Sequence, residues 1–168
     1  MELKQALQTA LEFEKKGHSI YEETANKTKN PIVAKTFRYL SNQELIHIEE
    51  IKEYIEKLNN SHKIELKGDN LKQTQEFFNT TITQFKEKTE LSDDDLKAHE
   101  TGLILERRAY DFYKEQHDNS TDEETKKFFK WIMTQENAHY EFIRRAYDFI
   151  KDPVAFYSEE EQWMVDGG

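Results

Sequence analysis

The chain contains no cysteine and only two prolines and five glycines among its 168 residues. Without cysteine it can form no disulfide bond, no thiolate zinc site and no cysteine-held iron–sulfur cluster. Few helix breakers and a charged fraction of 35% are typical of long helices with water-covered outer faces. Because aromatic residues make up 12% of the chain and can build a core, we interpret it as folded rather than disordered.

The chain also lacks a basic cluster and a long apolar run. Its formal net charge of −10 would repel nucleic acid, and no apolar stretch is long enough to span a bilayer. The first residues, Met1 to Gln5, lack the basic and apolar regions of a signal peptide. We therefore expect a cytoplasmic protein whose partners include neither nucleic acid nor a membrane.

Hydrophobic spacing and helix-breaking residues divide the chain into four long helices in two pairs. Asn30 and Pro31 separate the first two helices, as an N-cap and a first helical residue. Ser92 and Asp95 are predicted to form a capping box at the start of the third helix, and Pro153 follows the end of the fourth. The four helices are predicted to span about residues 2–29, 31–58, 92–117 and 122–151.

The least regular region, about residues 59–91, is predicted to be a crossover between the two helix pairs. Within it we expect a shorter amphipathic helix from about Leu71 to Lys88. The predicted fold is therefore all-α, with a four-helix bundle over residues 1–151 and a C-terminal tail at residues 152–168.

Each long helix has a seam of mainly apolar or small residues, obtained by alternating steps of three and four. Near its middle each seam has a glutamate, and the second and fourth seams add a histidine one turn later. Buried carboxylates cost on the order of several kcal/mol and repel one another, yet no seam contains Lys or Arg to compensate. A pair of divalent cations would supply the missing charge. The predicted metal ligands are Glu14, Glu44, His47, Glu106, Glu136 and His139.

The types of ligand indicate which metals would bind. In each Glu-x-x-His motif the two side chains lie on one face of the helix. Carboxylate oxygens with one imidazole per metal suit iron or manganese better than a thiolate-preferring metal. We therefore expect two iron ions, with manganese or a mixed pair as the alternative.

A single shift of 92 residues aligns the two halves of the chain. A Glu-x-x-His motif alone is weak evidence in a chain so rich in glutamate. The alternative interpretation, surface carboxylates with a histidine salt bridge, would require all four seams to be assigned wrongly. The common offset instead predicts two pseudo-symmetric half-sites. The aligned pairs are Glu14 with Glu106, Glu44 with Glu136, His47 with His139, and Tyr21 with Tyr113.

The segments LEFEKKGHSIY at residues 11–21 and LILERRAYDFY at residues 103–113 resemble the rubrerythrin branch of the ferritin-like diiron carboxylate superfamily. The resemblance extends over residues 1–150 and is to rubrerythrin-like proteins that lack the rubredoxin domain. It implies a ferritin-like bundle with one glutamate from each of two helices and Glu-x-x-His from the other two.

The resemblance also implies roles for individual residues. Glu44 and Glu136 would bridge or chelate the metals, and Tyr21 and Tyr113 would hydrogen-bond ligand carboxylates from outside the ligand set. Beyond the metal ligands it implies no further catalytic residue.

The chain departs from the rubrerythrin pattern at one position. Rubrerythrins often have an extra glutamate one turn after the ligand that corresponds to Glu106, which allows a redox-linked ligand switch. That residue is Ala109 here, and its counterpart in the first half is Gly17. The resemblance therefore does not extend to the switch or to a complete rubrerythrin-type peroxidase cycle.

The other four histidines are interpreted as structural. His18 is read as an ordinary helix residue rather than a partner of Glu14, and His99 as a core histidine rather than part of an access path. His62 and His117 are read as surface residues.

Three functions are open from the sequence. The first is a redox protein that reduces hydrogen peroxide or dioxygen in oxidative-stress defence, with electrons from an external donor protein. The second is ferroxidation, iron storage or iron delivery, and the third is a metal-stabilised interaction protein without turnover. We expect a homodimer, since such bundles often pair.

Overall fold

The computed structural model describes residues 2–60, 71–84 and 91–158. The described residues contain no strand, which confirms the all-α prediction. They form five helices and a further short helical stretch at residues 153–158. The five helices are α1 (Leu3–Lys27), α2 (Pro31–Asn60), α3 (Leu71–Gln84), α4 (Asp93–Asn119) and α5 (Glu123–Lys151).

Two helix starts are stabilised by the caps predicted from the sequence. The side-chain oxygen of Asn30 accepts hydrogen bonds from the backbone N–H groups of Ile32 and Val33, at 3.0 and 3.2 Å. At the start of α4, Ser92 and Asp95 each accept a hydrogen bond from the other's backbone N–H group. These bonds satisfy amide groups that have no partner within the helix, so the N-cap and the capping box are confirmed.

The bundle consists of two helical hairpins packed side by side. Short turns join α1 to α2 and α4 to α5, and the hairpins meet where α1 packs on α4 and α2 packs on α5. Tyr21 contacts Glu106 while Tyr113 contacts Glu14, so residue numbers rise in opposite directions along α1 and α4. These two helices are therefore antiparallel.

The crossover helix α3 packs on α5 and α2, beside the four long helices, and adds Phe78 and Ile82 to one of the buried apolar clusters. Its Phe78 is buried and lies edge-on to Phe142 of α5, at a ring separation of 5.8 Å. Phe156, from the short helical stretch after α5, is also buried against Phe78. The remainder of the predicted crossover helix, residues 85–88, and the tail residues 159–168 lie outside the described residues.

Two apolar clusters fill the bundle on either side of its middle. One includes Phe37 and Ile143, and the other includes Ile51 and Phe129. Two residues of the predicted seams are less buried than expected, because each lies in the terminal turn of its helix: Leu58 near the end of α2 is 41% exposed, and Leu3 at the start of α1 is partly buried. Among the described residues, no helix combines the length and apolarity that a membrane span requires.

Candidate metal centre

The structure brings all six predicted ligands into one cluster between the two apolar clusters. Each of the six side chains is at most 3% exposed. Their convergence agrees with the sequence-based expectation, while metal binding by each of them stays a prediction. Four of them offer ligand atoms that all lie within 4.8 Å of one another, which is a spacing suited to a metal ion: Glu44, His47, Glu136 and His139.

His47 of α2 directs one ring nitrogen at carboxylates from three helices. Its Nδ1 atom lies 3.0 Å from Glu14 Oε2, 3.2 Å from Glu136 Oε1 and 3.3 Å from Glu44 Oε2. Because these glutamates belong to α1, α5 and α2, the ring lies where the two hairpins meet.

His139 of α5 occupies the equivalent position in the second half. Its Nδ1 atom lies 3.4 Å from Glu44 Oε1 and 3.5 Å from Glu106 Oε2. The His139 and His47 rings are stacked with their centroids 5.0 Å apart. The two Glu-x-x-His motifs therefore form related half-sites, in keeping with the offset of 92 residues.

Two buried tyrosines connect the hairpins through the cluster. The Tyr21 hydroxyl of α1 donates to Glu106 Oε1 of α4, and the Tyr113 hydroxyl of α4 donates to Glu14 Oε1 of α1. Burial and the neighbouring Glu106 raise the pKa of Tyr21 well above its ordinary value, and burial and Glu14 do the same for Tyr113. Both hydroxyls therefore stay protonated and remain donors to these carboxylates.

The pKa values of the clustered carboxylates are shifted in different directions. Burial and the charge of Glu44 raise the pKa of Glu14 to about 8, and burial together with Glu14 raises the pKa of Glu136 well above its ordinary value. Burial alone would also raise the pKa of Glu44, but its close contacts with Glu14 and the two histidines bring it well below its usual range. Without metal, the cluster therefore retains protons to reduce its negative charge.

We expect the metal-free protein to lose stability as pH rises from about 5 to 9. The folded-state pKa is about 8 for Glu14 and about 9 for His139, against ordinary values of 4.5 and 6.5. Burial by itself would lower the pKa of His139, but the neighbouring Glu106 and Glu44 raise it. The folded state thus binds more protons than the unfolded chain across this range, and its free energy of unfolding falls as pH rises. Urea unfolding at several pH values tests this. A rise in stability over the same range would contradict it.

Several buried polar atoms of the cluster lack a hydrogen bond among the described residues. They are Glu106 Oε2, Glu136 Oε1, His139 Nδ1 and His47 Nε2. Leaving a buried polar atom unpaired costs about 1–3 kcal/mol. Three of these atoms lie close to other ligand atoms without the geometry of a hydrogen bond. Carboxylate oxygens and imidazole nitrogens that converge without pairing fit the coordination of a cation such as iron or manganese.

A cavity of about 50 Å³ lies between α1 and α4 and reaches the buried glutamates. Besides the glutamates, Tyr21, Gly17 and Ala109, the lining contains four residues that the sequence analysis did not single out: Phe13, Lys16, Leu105 and Arg108. The offset of 92 residues could have identified these lining residues, because it pairs them with one another in the same way as it pairs the predicted ligands. The matched pairs are Phe13 with Leu105, Lys16 with Arg108, and Gly17 with Ala109.

The cavity lies at the position where the sequence departs from the rubrerythrin pattern. A β-carbon added at Gly17 would lie 3.4 Å from two side-chain carbons of Glu44, so a longer side chain there would occupy the cavity. Ala109, its counterpart on α4, is buried and also lines the cavity. The small residues at these positions therefore leave space beside the carboxylates.

Three further histidines that the structure describes lie outside the cluster. His18 is bonded to Ser41 of α2, through its backbone oxygen at 3.0 Å and its hydroxyl at 2.8 Å, and not to a predicted ligand. His99 is buried and its Nδ1 atom donates to the backbone oxygen of Asp95 at 2.7 Å. His117 is partly exposed beside Asp118, and His62 lies outside the described residues.

Comparison with known proteins identifies a family but no individual relative. A sequence model of the family described as Rubrerythrin matches residues 5–147, most of the chain. No match was found among the curated proteins or among the solved structures. The family and the buried Glu/His cluster together point to a metal site. This chain belongs to the rubrerythrin family.

Proposed function

We propose that this protein is a diiron-carboxylate redox protein. It would reduce hydrogen peroxide or dioxygen with electrons from an external donor protein, in defence against oxidative stress. The observation that supports this most directly is the pseudo-symmetric cluster of buried glutamates and histidines between the hairpins. The residues proposed to hold the two iron ions are Glu14, Glu44, His47, Glu106, Glu136 and His139.

The charge of the cluster supports the proposal of two metal ions. Four carboxylates are buried together, and they raise the pKa values of the two histidines next to them despite the burial of both rings. Two divalent ions would balance the four carboxylates and let both imidazoles bind in their neutral form. Bound iron would supply Lewis acidity and a ferrous–ferric redox couple.

The protein's own residues would position the ligands and restrict what reaches them. Tyr21 and Tyr113 each hold one oxygen of a glutamate on the opposite hairpin, which limits how Glu106 and Glu14 can rotate. The apolar clusters on either side keep bulk water out of the centre. The cavity of about 50 Å³ has room for a few water-sized molecules and is far below the roughly 300–1,000 Å³ of pockets for organic ligands. Its size favours a small oxidant.

The donor of electrons is proposed to be a separate protein. The sequence contains no cysteine, so it has no residues to hold a thiolate-bound relay iron. Reduction of peroxide needs two electrons and two protons for each pair of water molecules formed. We propose that the donor restores the ferrous state after each turnover.

Stopped-flow oxidation of the ferrous protein by hydrogen peroxide tests this function. We expect the unmodified protein to react at least about 100-fold faster than the Glu136→Ala variant, because the variant loses a buried ligand carboxylate. Equal rates in the two proteins would overturn the proposed peroxide reduction. Metal analysis after anaerobic purification, with an absorption spectrum, determines whether the metal is iron.

A turnover measurement on the same ferrous protein separates redox catalysis from iron handling. A redox enzyme should consume peroxide repeatedly when a chemical donor is supplied, with about two iron ions per chain throughout. A protein that oxidises or stores iron should instead convert many ferrous ions per chain. The second result would replace the proposed function by ferroxidation.

A further inference from the structure

The cavity between α1 and α4 has two cationic side chains at its outer end. Lys16 of α1 and Arg108 of α4 both line the cavity and are both exposed. They are also equivalent at the offset of 92 residues, so the two hairpins contribute one cation each. In a chain with a formal net charge of −10, this places two positive charges together at the mouth of the cavity.

Within the described part of the chain, Lys16 and Arg108 form no ion pair. The adjacent Arg107, by contrast, lies 3.3 Å from Asp111, with which it pairs on the surface of α4. The two cations at the mouth are therefore available to a ligand that approaches the cavity.

The inner end of the cavity determines when an anion could bind. The buried carboxylates there, including Glu44 and Glu136, would repel an anion from the metal-free protein. Bound metal ions would reverse this repulsion. When both ions are ferric, their summed positive charge would exceed the negative charge of the four carboxylates. Gly17 and Ala109 leave the space beside Glu44 free of side chains. A small ligand could therefore reach the centre from the positive mouth.

We propose that this cavity is an access route for a small inorganic monoanion of two or three atoms, and that Lys16 and Arg108 select for its negative charge. A narrow cleft with charge of one sign at its mouth raises the local concentration of oppositely charged ligands. The same charges disfavour a ferrous ion on this route, which argues against iron as the substrate. The proposal rests on the proposed metal centre but not on its reaction.

Azide binding to the diferric protein, followed by its absorption change, tests the route. We expect the double variant Lys16→Gln/Arg108→Gln to bind azide about 3- to 10-fold more weakly at low ionic strength, the effect expected of two unit charges near a protein surface. The difference should disappear in concentrated salt. Calorimetry should detect no azide binding to the metal-free protein.

The matched control is the double variant Lys15→Gln/Arg107→Gln. It makes the same change in net charge at the preceding residue of each helix, and neither residue lines the cavity. Its azide affinity should stay within about twofold of the unmodified protein. The proposed route would be overturned if both double variants bound azide equally weakly, or if the unmodified diferric protein bound no azide. Normal azide results with no peroxide reactivity would leave the route in place and overturn only the proposed function.

Discussion

Replacing Glu44 by glutamine will prevent the protein from holding two metal ions, whereas the same replacement at Glu49 will not. Glu44 is buried and lies 3.3 Å from His47 and 3.4 Å from His139, so it faces both half-sites. Glu49, on the same helix, is exposed and pairs with Lys52 at 2.7 Å. The chemical change is identical and only its position differs.

The expected loss follows from the charge balance of the site. Removing one of the four carboxylates of the cluster leaves the two proposed divalent ions undercompensated and takes away a proposed ligand that faces both half-sites. Loss of partners outside the ligand set already lowers metal affinity by roughly 10- to 100-fold, and we expect at least about 100-fold for Glu44→Gln. Elemental analysis after desalting should find less than one metal per chain in this variant and about two in Glu49→Gln.

The fold of Glu44→Gln must be checked in the same samples. Glutamine has nearly the size of glutamate, so circular dichroism should show unchanged helix content without metal. A folded Glu44→Gln variant that retains two tightly bound metal ions would show that the buried cluster is not the metal site.

Removing the metal will lower the melting temperature by about 10–20 °C. A ligand at 100 times its dissociation constant contributes about 2.7 kcal/mol to stability per site, and each kcal/mol shifts the melting temperature of a domain of this size by about 2–4 °C. The metal-free protein must also keep Glu14, Glu44, Glu106 and Glu136 together without that compensation. Calorimetry of metal-free and metal-loaded protein at equal protein concentration measures the shift.

Glu44→Gln provides the control for the thermal shift. Because it should not retain metal, its melting temperature should change little when metal is added. If added metal stabilises this variant as much as the unmodified protein, the stabilising metal binds elsewhere. If the unmodified protein binds metal but melts at the same temperature with and without it, that result would also contradict a metal site in the core.

Local sequence patterns were sufficient for most of the helical architecture. The seam residues of α5, from Thr125 to Ile150, are all buried as their spacing predicts, because residues three and four apart lie on one face of a helix. Asn30 and Ser92 cap their helices through neighbours within three residues. Such contacts depend only on nearby residues, so sequence alone can predict them.

The candidate ligands were predictable for a different reason. Each glutamate interrupts an apolar seam, and one offset relates the two halves. A periodic seam shows which side chains face the core, and a repeat shows which of them are equivalent. Neither shows the distances between them. The 3.0 Å separation of His47 and Glu14 and the stacking of His47 on His139 depend on how four helices pack together.

The sequence by itself therefore determined the helices, the buried faces and the six residues proposed to bind metal. Only the tertiary structure decided that Tyr21 and Tyr113 each hold a glutamate of the opposite hairpin, that Leu58 is exposed, and that Lys16 and Arg108 share one cavity. The physical reason is the range of the interactions. Helical periodicity is set by neighbours a few residues apart, whereas a cavity or a contact between α1 and α4 joins residues about 90 positions apart and depends on the packing of whole helices.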